Sequence, residues 1–327
     1  MKKRLSIALA LHKTGTVSSK WVWGDEITAR DLARYLSKRH HCEILNAKQC
    51  ASCANSAKYD SAIYFFSWLP PGIAKVNLFW HQSPREGFSW HLTDRQWIED
   101  CIDTVKRKFD GVLCPSRELA DLFKSAGLFS VYFPFFVDTE VYLRKEGSGR
   151  ALFDCVYVGN NIKGESINRE VLYPILSVCK KRSLHFGLFG AGWLDACEQD
   201  LVARYYRGVL PADRLPLLYS KTKIVLTFHF QSHRRFGIHN MRTYEALACK
   251  ALVLSDLNAK RDDDLEIPAF RRLNASGGSA VDSLDHCLGI GPEEAEVMGR
   301  EGRDLIERKH SAAVRAKMIE EVLIKLA

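Results

Sequence analysis

Gly237-Ile238-His239-Asn240-Met241-Arg242-Thr243-Tyr244-Glu245-Ala246-Leu247-Ala248-Cys249-Lys250-Ala251-Leu252-Val253-Leu254-Ser255-Asp256 is the stretch from which the fold is read. A glycine-containing loop leads to Asn240, a residue type that caps helices, and a short run of helix formers follows. At about 100° per residue, Met241, Tyr244, Glu245 and Ala248 share one side of that helix. A carboxylate at Glu245 among apolar neighbours is costly unless something binds it. Beyond Lys250, Ala251-Leu252-Val253-Leu254 has the continuous apolar character of a strand buried on both faces. Loop, helix N-terminus, inward carboxylate and buried strand predict a cradle for a phosphorylated ligand. The alternative is an ordinary helix–strand unit whose glutamate reaches solvent.

The same alternation extends outward from this unit. Upstream, the periodicity predicts strands at Cys155–Val158, His185–Phe189 and Ile224–Phe228, a short strand at Tyr205–Val209, a helix over 168–182 and a small one at Leu215–Ser220. Downstream, residues 293–308 and 311–326 are amphipathic helices. The first half opens with a strand at Leu5–Leu11, a loop through Gly15 and Gly24, a helix at Asp25–Arg39 and a strand at Cys42–Leu45. Strands follow at Ala62–Trp68, Val76–Trp80, Gly111–Cys114 and Val131–Phe133, with helices at Asp94–Lys108 and Glu118–Ala126. Strand, loop, helix, strand is a βαβ unit and implies a parallel sheet. Periodicity fades over 138–150, which ends in a polar, glycine-containing linker. The economical architecture is α/β: two doubly wound Rossmann-like domains facing across a cleft, one at 1–147 and one at 148–310, with a terminal helix at 311–327 that can return to the first.

A chain of 327 residues with 46% hydrophobic content is long enough to bury two such cores. Ten cysteines at irregular spacings suggest reduced thiols and a cytoplasmic protein. Leu5–Leu11 ends at His12-Lys13 without a cleavage site and reads as a core strand rather than a signal peptide. No stretch approaches the roughly 18 apolar residues of a membrane span. Of the net charge of +8, residues 1–150 carry +6, from 22 Lys and Arg against 16 Asp and Glu. That excess suits peripheral contact with an anionic membrane or acidic ligand, and equally a solvated basic face. Without an RNA- or DNA-recognition motif it gives no ground for nucleic-acid binding.

The chain resembles nucleotide-sugar-dependent glycosyltransferases of the GT-B fold, group 1 or family 4, and within them the spore-maturation-type branch. The resemblance is collinear and runs through Trp23-Gly24-Asp25-Glu26, Phe79-Trp80-His81, Asp110–Ser116, Phe133–Asp138, Tyr157-Val158-Gly159-Asn160, Phe189–Trp193, Arg207–Pro211 and Arg242–Cys249. It implies a donor domain in the second half and an acceptor domain in the first. The family's usual second glutamate, eight positions before the one matching Glu245, is here Gly237. The usual glycine after the helix is Lys250, and an arginine often found after the Tyr157-Val158-Gly159 match is Asn160.

Glycosyl transfer needs a nucleoside diphosphate to leave, and a site without a metal must neutralise it with helix N-termini, backbone donors and cations. Asn240, Met241, Arg242 and Thr243 begin the helix that supplies the dipole; Lys163 and Arg169, after Gly159, supply cations. The resemblance makes Glu245 the ribose carboxylate. Gly192 and Trp193 line the donor pocket or cover the sheet end, and Gly208 lies where the base would pack. His81, at a strand end, is a catalytic or sugar-binding candidate. Asp25 is a general base or a helix cap, and Thr14, Gly15 and Gly24 face the acceptor. No cofactor and no metal are expected. Asp262-Asp263-Asp264 reads as a charged turn, and Cys50-Ala51-Ser52-Cys53 lacks the second pair of a zinc site. The implied partners are a nucleotide sugar and a glycan, lipid-linked or protein acceptor. A sugar-nucleotide epimerase and a non-catalytic nucleotide-sugar-binding module are the competing functions.

Overall fold

The computed structural model describes residues 4–15, 24–82, 94–143, 151–161, 171–195, 199–257, 265–272 and 279–326. Two compact units result: one takes the chain up to Phe135 and the segment from Ala312 on, the other Phe136–Ser311. The linker expected at 145–150 lies outside the described residues.

In the first unit the chain runs β1 (Ser6–Ala10), α1 (Gly24–Leu36), β2 (His41–Leu45), α2 (Ala47–Ser52), β3 (Tyr59–Tyr64), β4 (Ala74–Trp80), α3 (Asp94–Lys108), β5 (Gly111–Cys114), α4 (Arg117–Ser125) and β6 (Ser130–Tyr132). The sheet is parallel with strand order β2-β1-β3-β4-β5-β6. Ile7, Ala8, Leu9 and Ala10 of β1 are wholly buried, as expected of a strand covered on both faces. Local signals start the helices: Ser116 accepts from the Leu119 N–H at 3.3 Å, and Asn46 and Gln49 form a reciprocal capping box before α2.

The second unit holds β7 (Phe153–Val158), α5 (Tyr173–Lys181), β8 (Phe186–Phe189), α6 (Gln199–Tyr205), α7 (Leu215–Ser220), β9 (Thr222–Thr227), α8 (Gln231–Phe236), α9 (Met241–Ala248), β10 (Leu252–Ser255), β11 (Phe270–Arg272), α10 (Ser279–Gly289) and α11 (Pro292–Lys309). Its parallel sheet has the order β11-β10-β9-β7-β8. Tyr205–Val209, expected as a strand, instead continues from the end of α6; it forms no strand and pairs with the sheet through a bridge from Tyr206 to Leu188. Phe136–Leu143 packs within this unit: the buried Arg303 of α11 donates to the carbonyls of Tyr142, Thr139 and Ala248.

The last helix, α12 (Ala312–Leu326), packs against α1 in the first unit. Glu320 accepts from Arg39 at 2.8 Å, and His40 Nε2 stands 3.3 Å from its other oxygen. Leu5 N–H donates to His40 Nδ1 at 3.2 Å, which leaves the ring proton on Nε2, facing Glu320.

Lys250, just after α9, adopts φ +62°, a left-handed conformation costly for a residue with a Cβ. Its ammonium lies 3.4 Å from Glu296, a partly exposed pair worth little. Lys250→Gly is therefore expected to stabilise the protein by about 0.5–1 kcal/mol net, after the greater unfolded-chain entropy of glycine. A higher urea midpoint at unchanged m-value is the expected measurement; an unchanged or lower midpoint contradicts it.

Candidate active site

In the second sheet the chain leaves β7 toward β8 on one side, and β9, β10 and β11 lie on the other. Open α/β sheets bind ligands outside the carboxyl ends of the strands at such a reversal. The turn after β7 and the turn after β8 meet here in close backbone contact. A Cβ on Gly190 would lie 2.0 Å from the Gly159 carbonyl oxygen, so only glycine fits. Gly159 N–H donates to Phe189 O at 2.9 Å, and Ala191 N–H to Asn160 Oδ1 at 3.0 Å. Asn161 Nδ2 donates to Gly192 O at 3.0 Å. Asn160 thus joins the two turns. Gly208 closes the group by accepting from Gly190 N–H at 3.0 Å.

Trp193, expected either to line the pocket or to cover the sheet end, is wholly buried. Its indole N–H donates to Gly159 O at 2.8 Å, so it braces the turn from behind.

Asn240 caps α9 as its sequence suggests, its side-chain oxygen accepting from Thr243 N–H at 3.4 Å. A second set of bonds, which no sequence argument anticipated, aims this cap. Asn240 Nδ2 donates to Phe228 O at 3.0 Å, and its backbone N–H donates to His229 Nε2 at 3.2 Å. Because Nε2 accepts, the ring proton sits on Nδ1 and is donated to Asp256 Oδ1 at 2.6 Å. The buried His229–Asp256 pair fixes the direction in which the first turn of α9 presents its N–H groups.

Met241 and Arg242 follow, both half-buried. Arg242 reaches back over β7: its guanidinium lies 5.9 Å from the Tyr157 ring centre, and Nη1 would be 3.1 Å from a Cβ on Gly159. Among the described residues Arg242 Nη1 has no hydrogen-bond partner, nor does the buried Thr243 Oγ1. A cation from the start of α9 thus reaches the Gly159 turn. Lys163 and Arg169 lie outside the described residues.

Glu245, one turn further along α9, is 3% exposed. Tyr142 Oη donates to one carboxylate oxygen at 3.0 Å and Tyr219 Oη to the other at 3.2 Å. Burial raises its pKa above the ordinary value; the two tyrosines and Arg242 oppose that shift without cancelling it. A carboxylate has about four lone-pair sites, so the tyrosines occupy half of them. In this structure the inward glutamate inferred from helical phase is satisfied from within the protein.

In the first unit Thr14 and Gly15 are exposed beyond β1. Gly15 N–H donates to Glu26 Oε1 at 2.9 Å, and Arg30 donates to the same oxygen at 2.7 Å. The buried Glu26, which the sequence reading passed over, therefore holds the Gly15 loop to α1. Gly24 opens α1 and its carbonyl accepts from Thr28 Oγ1 at 2.9 Å. Asp25 sits within the first turn, not at the cap, and desolvation pushes its carboxyl up to about 6. His81 does end β4, but it is 1% exposed and lies against Phe79 and Phe123. Burial depresses its pKa to about 3, so the ring is neutral near pH 7 and does not face solvent.

Comparison with known proteins places this geometry. Residues 169–321 match the sequence model of a family described as glycosyl transferase-like. A sucrose-phosphate synthase from Thermosynechococcus elongatus superposes with a TM-score of 0.72 at 12% identity, over 99% of each chain. HepE of Anabaena, solved with UDP-glucose, gives 0.67 at 13% identity, over 98% of this chain and 100% of that one. A glycosyltransferase from Rickettsia africae gives 0.65 at 13%, over 99% and 98%. A search of curated protein sequences returned no significant match. The fold is that of the GT-B glycosyltransferases, and residues 169–321 of it are similar to the glycosyl transferase-like family.

The raised pKa of Glu245 has a sign that can be tested. A carboxyl that binds its proton more tightly folded than unfolded costs stability as pH rises from the ordinary value of about 4.5 through its folded value. Glu245→Gln removes that ionisation while keeping the side chain's volume. The melting temperature of the variant relative to the parent is expected to rise between about pH 4 and about pH 8. A pH-independent difference contradicts the raised pKa.

Proposed function

We propose that this protein transfers a sugar from a nucleoside diphosphate sugar to a glycan, lipid-linked or protein acceptor, without a bound metal ion, and that it stands in the spore-maturation-type branch of the group 1 glycosyltransferases. The observation that carries this reading is Arg242 Nη1 at the start of α9, beside the Gly159 turn and without a hydrogen-bond partner among the described residues. As the bond to the anomeric carbon breaks, negative charge gathers on the departing diphosphate. The α9 dipole, its first N–H groups and Arg242 oppose that charge without reorganising. Lys163 and Arg169, which follow Gly159 in sequence, are the further candidates for such a cation. Ribose would meet Glu245 through the lone pairs that Tyr142 and Tyr219 leave unused. The neighbour solved with UDP-glucose supports a uridine nucleotide as the first donor to try.

On the acceptor side, Asp25 is the base. A carboxyl near 6 is mostly ionised at neutral pH yet basic enough to take a proton from a hydroxyl. Burial leaves His81 a structural part in this scheme. The basic excess of the first half would suit a lipid-linked acceptor held at a cytoplasmic membrane face; no helix among the described residues is long and apolar enough to cross one. One observation favours a non-catalytic nucleotide-binding module instead. Gly237, where relatives place a carboxylate, ends α8 at φ +67°, a conformation that disfavours glutamate. UDP binding without transfer to any member of an acceptor panel would support that alternative.

The test of the donor site is titration of UDP in excess EDTA. The parent should bind, and Arg242→Ala should lose about 1.5–3 kcal/mol of affinity, as expected for a hydrogen bond to a charged group. Equal affinities, or binding that requires added magnesium, would overturn the assignment.

Asp25 makes a separate prediction about pH. Since the base must be ionised, kcat/KM for transfer should fall tenfold per unit as pH drops below about 6. Asp25→Asn should abolish that limb. A profile flat through this range in the parent would remove Asp25 from the reaction.

A further inference from the structure

The carboxyl edge of the first sheet carries a group of rings with no part in the scheme above. β2 lies beyond β1 on one side, and β4, β5 and β6 lie beyond β3 on the other, so β1 and β3 flank this sheet's own reversal point. His12 follows β1, and Phe66 and Trp68 follow β3. The Phe66 and Trp68 ring centres are 4.6 Å apart, and His12 meets them edge-on at 6.2 and 6.1 Å. These are favourable aromatic geometries. The loop bearing Trp68 is pinned on both sides: Leu69 is buried, and Lys108 Nζ donates to Ser67 O at 3.1 Å.

The indole of Trp68 is nonetheless 45% exposed. Among the described residues of this unit the other large exposed hydrophobic side chain is Ile324, on α12. Among the described residues of this unit Trp68 is thus a flat, rigidly backed apolar surface rather than part of a larger exposed apolar patch. Polar groups rim it. Lys13 and Thr14 are exposed beside His12, whose ring nitrogens make no hydrogen bond to the described residues. A pyranose ring has the matching character: C–H groups on one face, which pack on an aromatic π-surface, and hydroxyls around its edge.

We propose that His12, Phe66 and Trp68 form a saccharide platform, and that the acceptor is a glycan whose terminal ring stacks on Trp68. This rests on the glycosyl-transfer reading and narrows its three acceptor classes to one. The test is calorimetric titration of the full chain with maltotetraose, cellotetraose, chitotetraose and α-mannotetraose, alongside UDP. At least one tetrasaccharide should bind. Trp68→Ala should raise its Kd about tenfold, a loss of about 1.4 kcal/mol, and Trp68→Phe should recover part of it. The platform is overturned if none of the four binds, or if Trp68→Ala binds as tightly as the parent. Trp68-dependent binding to phosphatidylglycerol vesicles in place of saccharide would also overturn it, assigning the surface to a membrane. UDP reports separately: its failure to bind the parent would sink the donor site, while the platform stands or falls on the tetrasaccharides.

Discussion

The backbone of Gly190 against the carbonyl of Gly159 is the constraint on which the second unit's site depends. Two strand-end turns brought this close leave no room for a side chain, and each supplies polar groups the other needs. The indole N–H of Trp193 takes the Gly159 carbonyl from the core side, so the turn is held from within. What remains outward is the space before α9, where Arg242 projects. Among the described residues the turn is therefore defined by backbone, and the positive charge beside it comes from Arg242. That division suits a ligand whose phosphates are common to many donors and whose sugar is not.

A similar economy governs the helix itself. His229, Asp256 and Asn240 form a relay in which every proton has an assigned place, and it links the carboxyl ends of β9 and β10 to the cap of α9. Buried polar groups are costly unless fully satisfied, and once satisfied they admit few alternative arrangements. Glu245 belongs to another such set with Tyr142 and Tyr219. These bonds orient α9.

Much of this architecture could be read from the chain alone. Asp94–Lys108, Gly111–Cys114 and Leu215–Ser220 appear with the bounds that their periodicity and flanking residues imply. Gly159, Gly192, Gly208 and Arg242 were recognisable as strand-end and helix-start residues, and the fold brings them together. Some elements escaped: α2, α8 and β11 are short and mostly polar, so no apolar period marks them. The His229–Asp256 bond was invisible because its partners lie 27 positions apart, just past the ends of two different strands. Tyr142 escaped for the same reason, 103 positions from Glu245 in a stretch without periodicity. Helical phase could say that Glu245 points inward; only the packing says what it meets.

The return of α12 to the first unit makes the order of synthesis differ from the order of completion. While the ribosome is still producing Phe136–Ser311, the earlier sheet lacks the helix that covers α1, and Arg39 and His40 have no Glu320 to meet. All the residues of the later sheet have emerged before that helix is made. The half translated first is thus the last to be finished, and it waits with an apolar helix face uncovered, a period in which nascent chains are most open to misassociation.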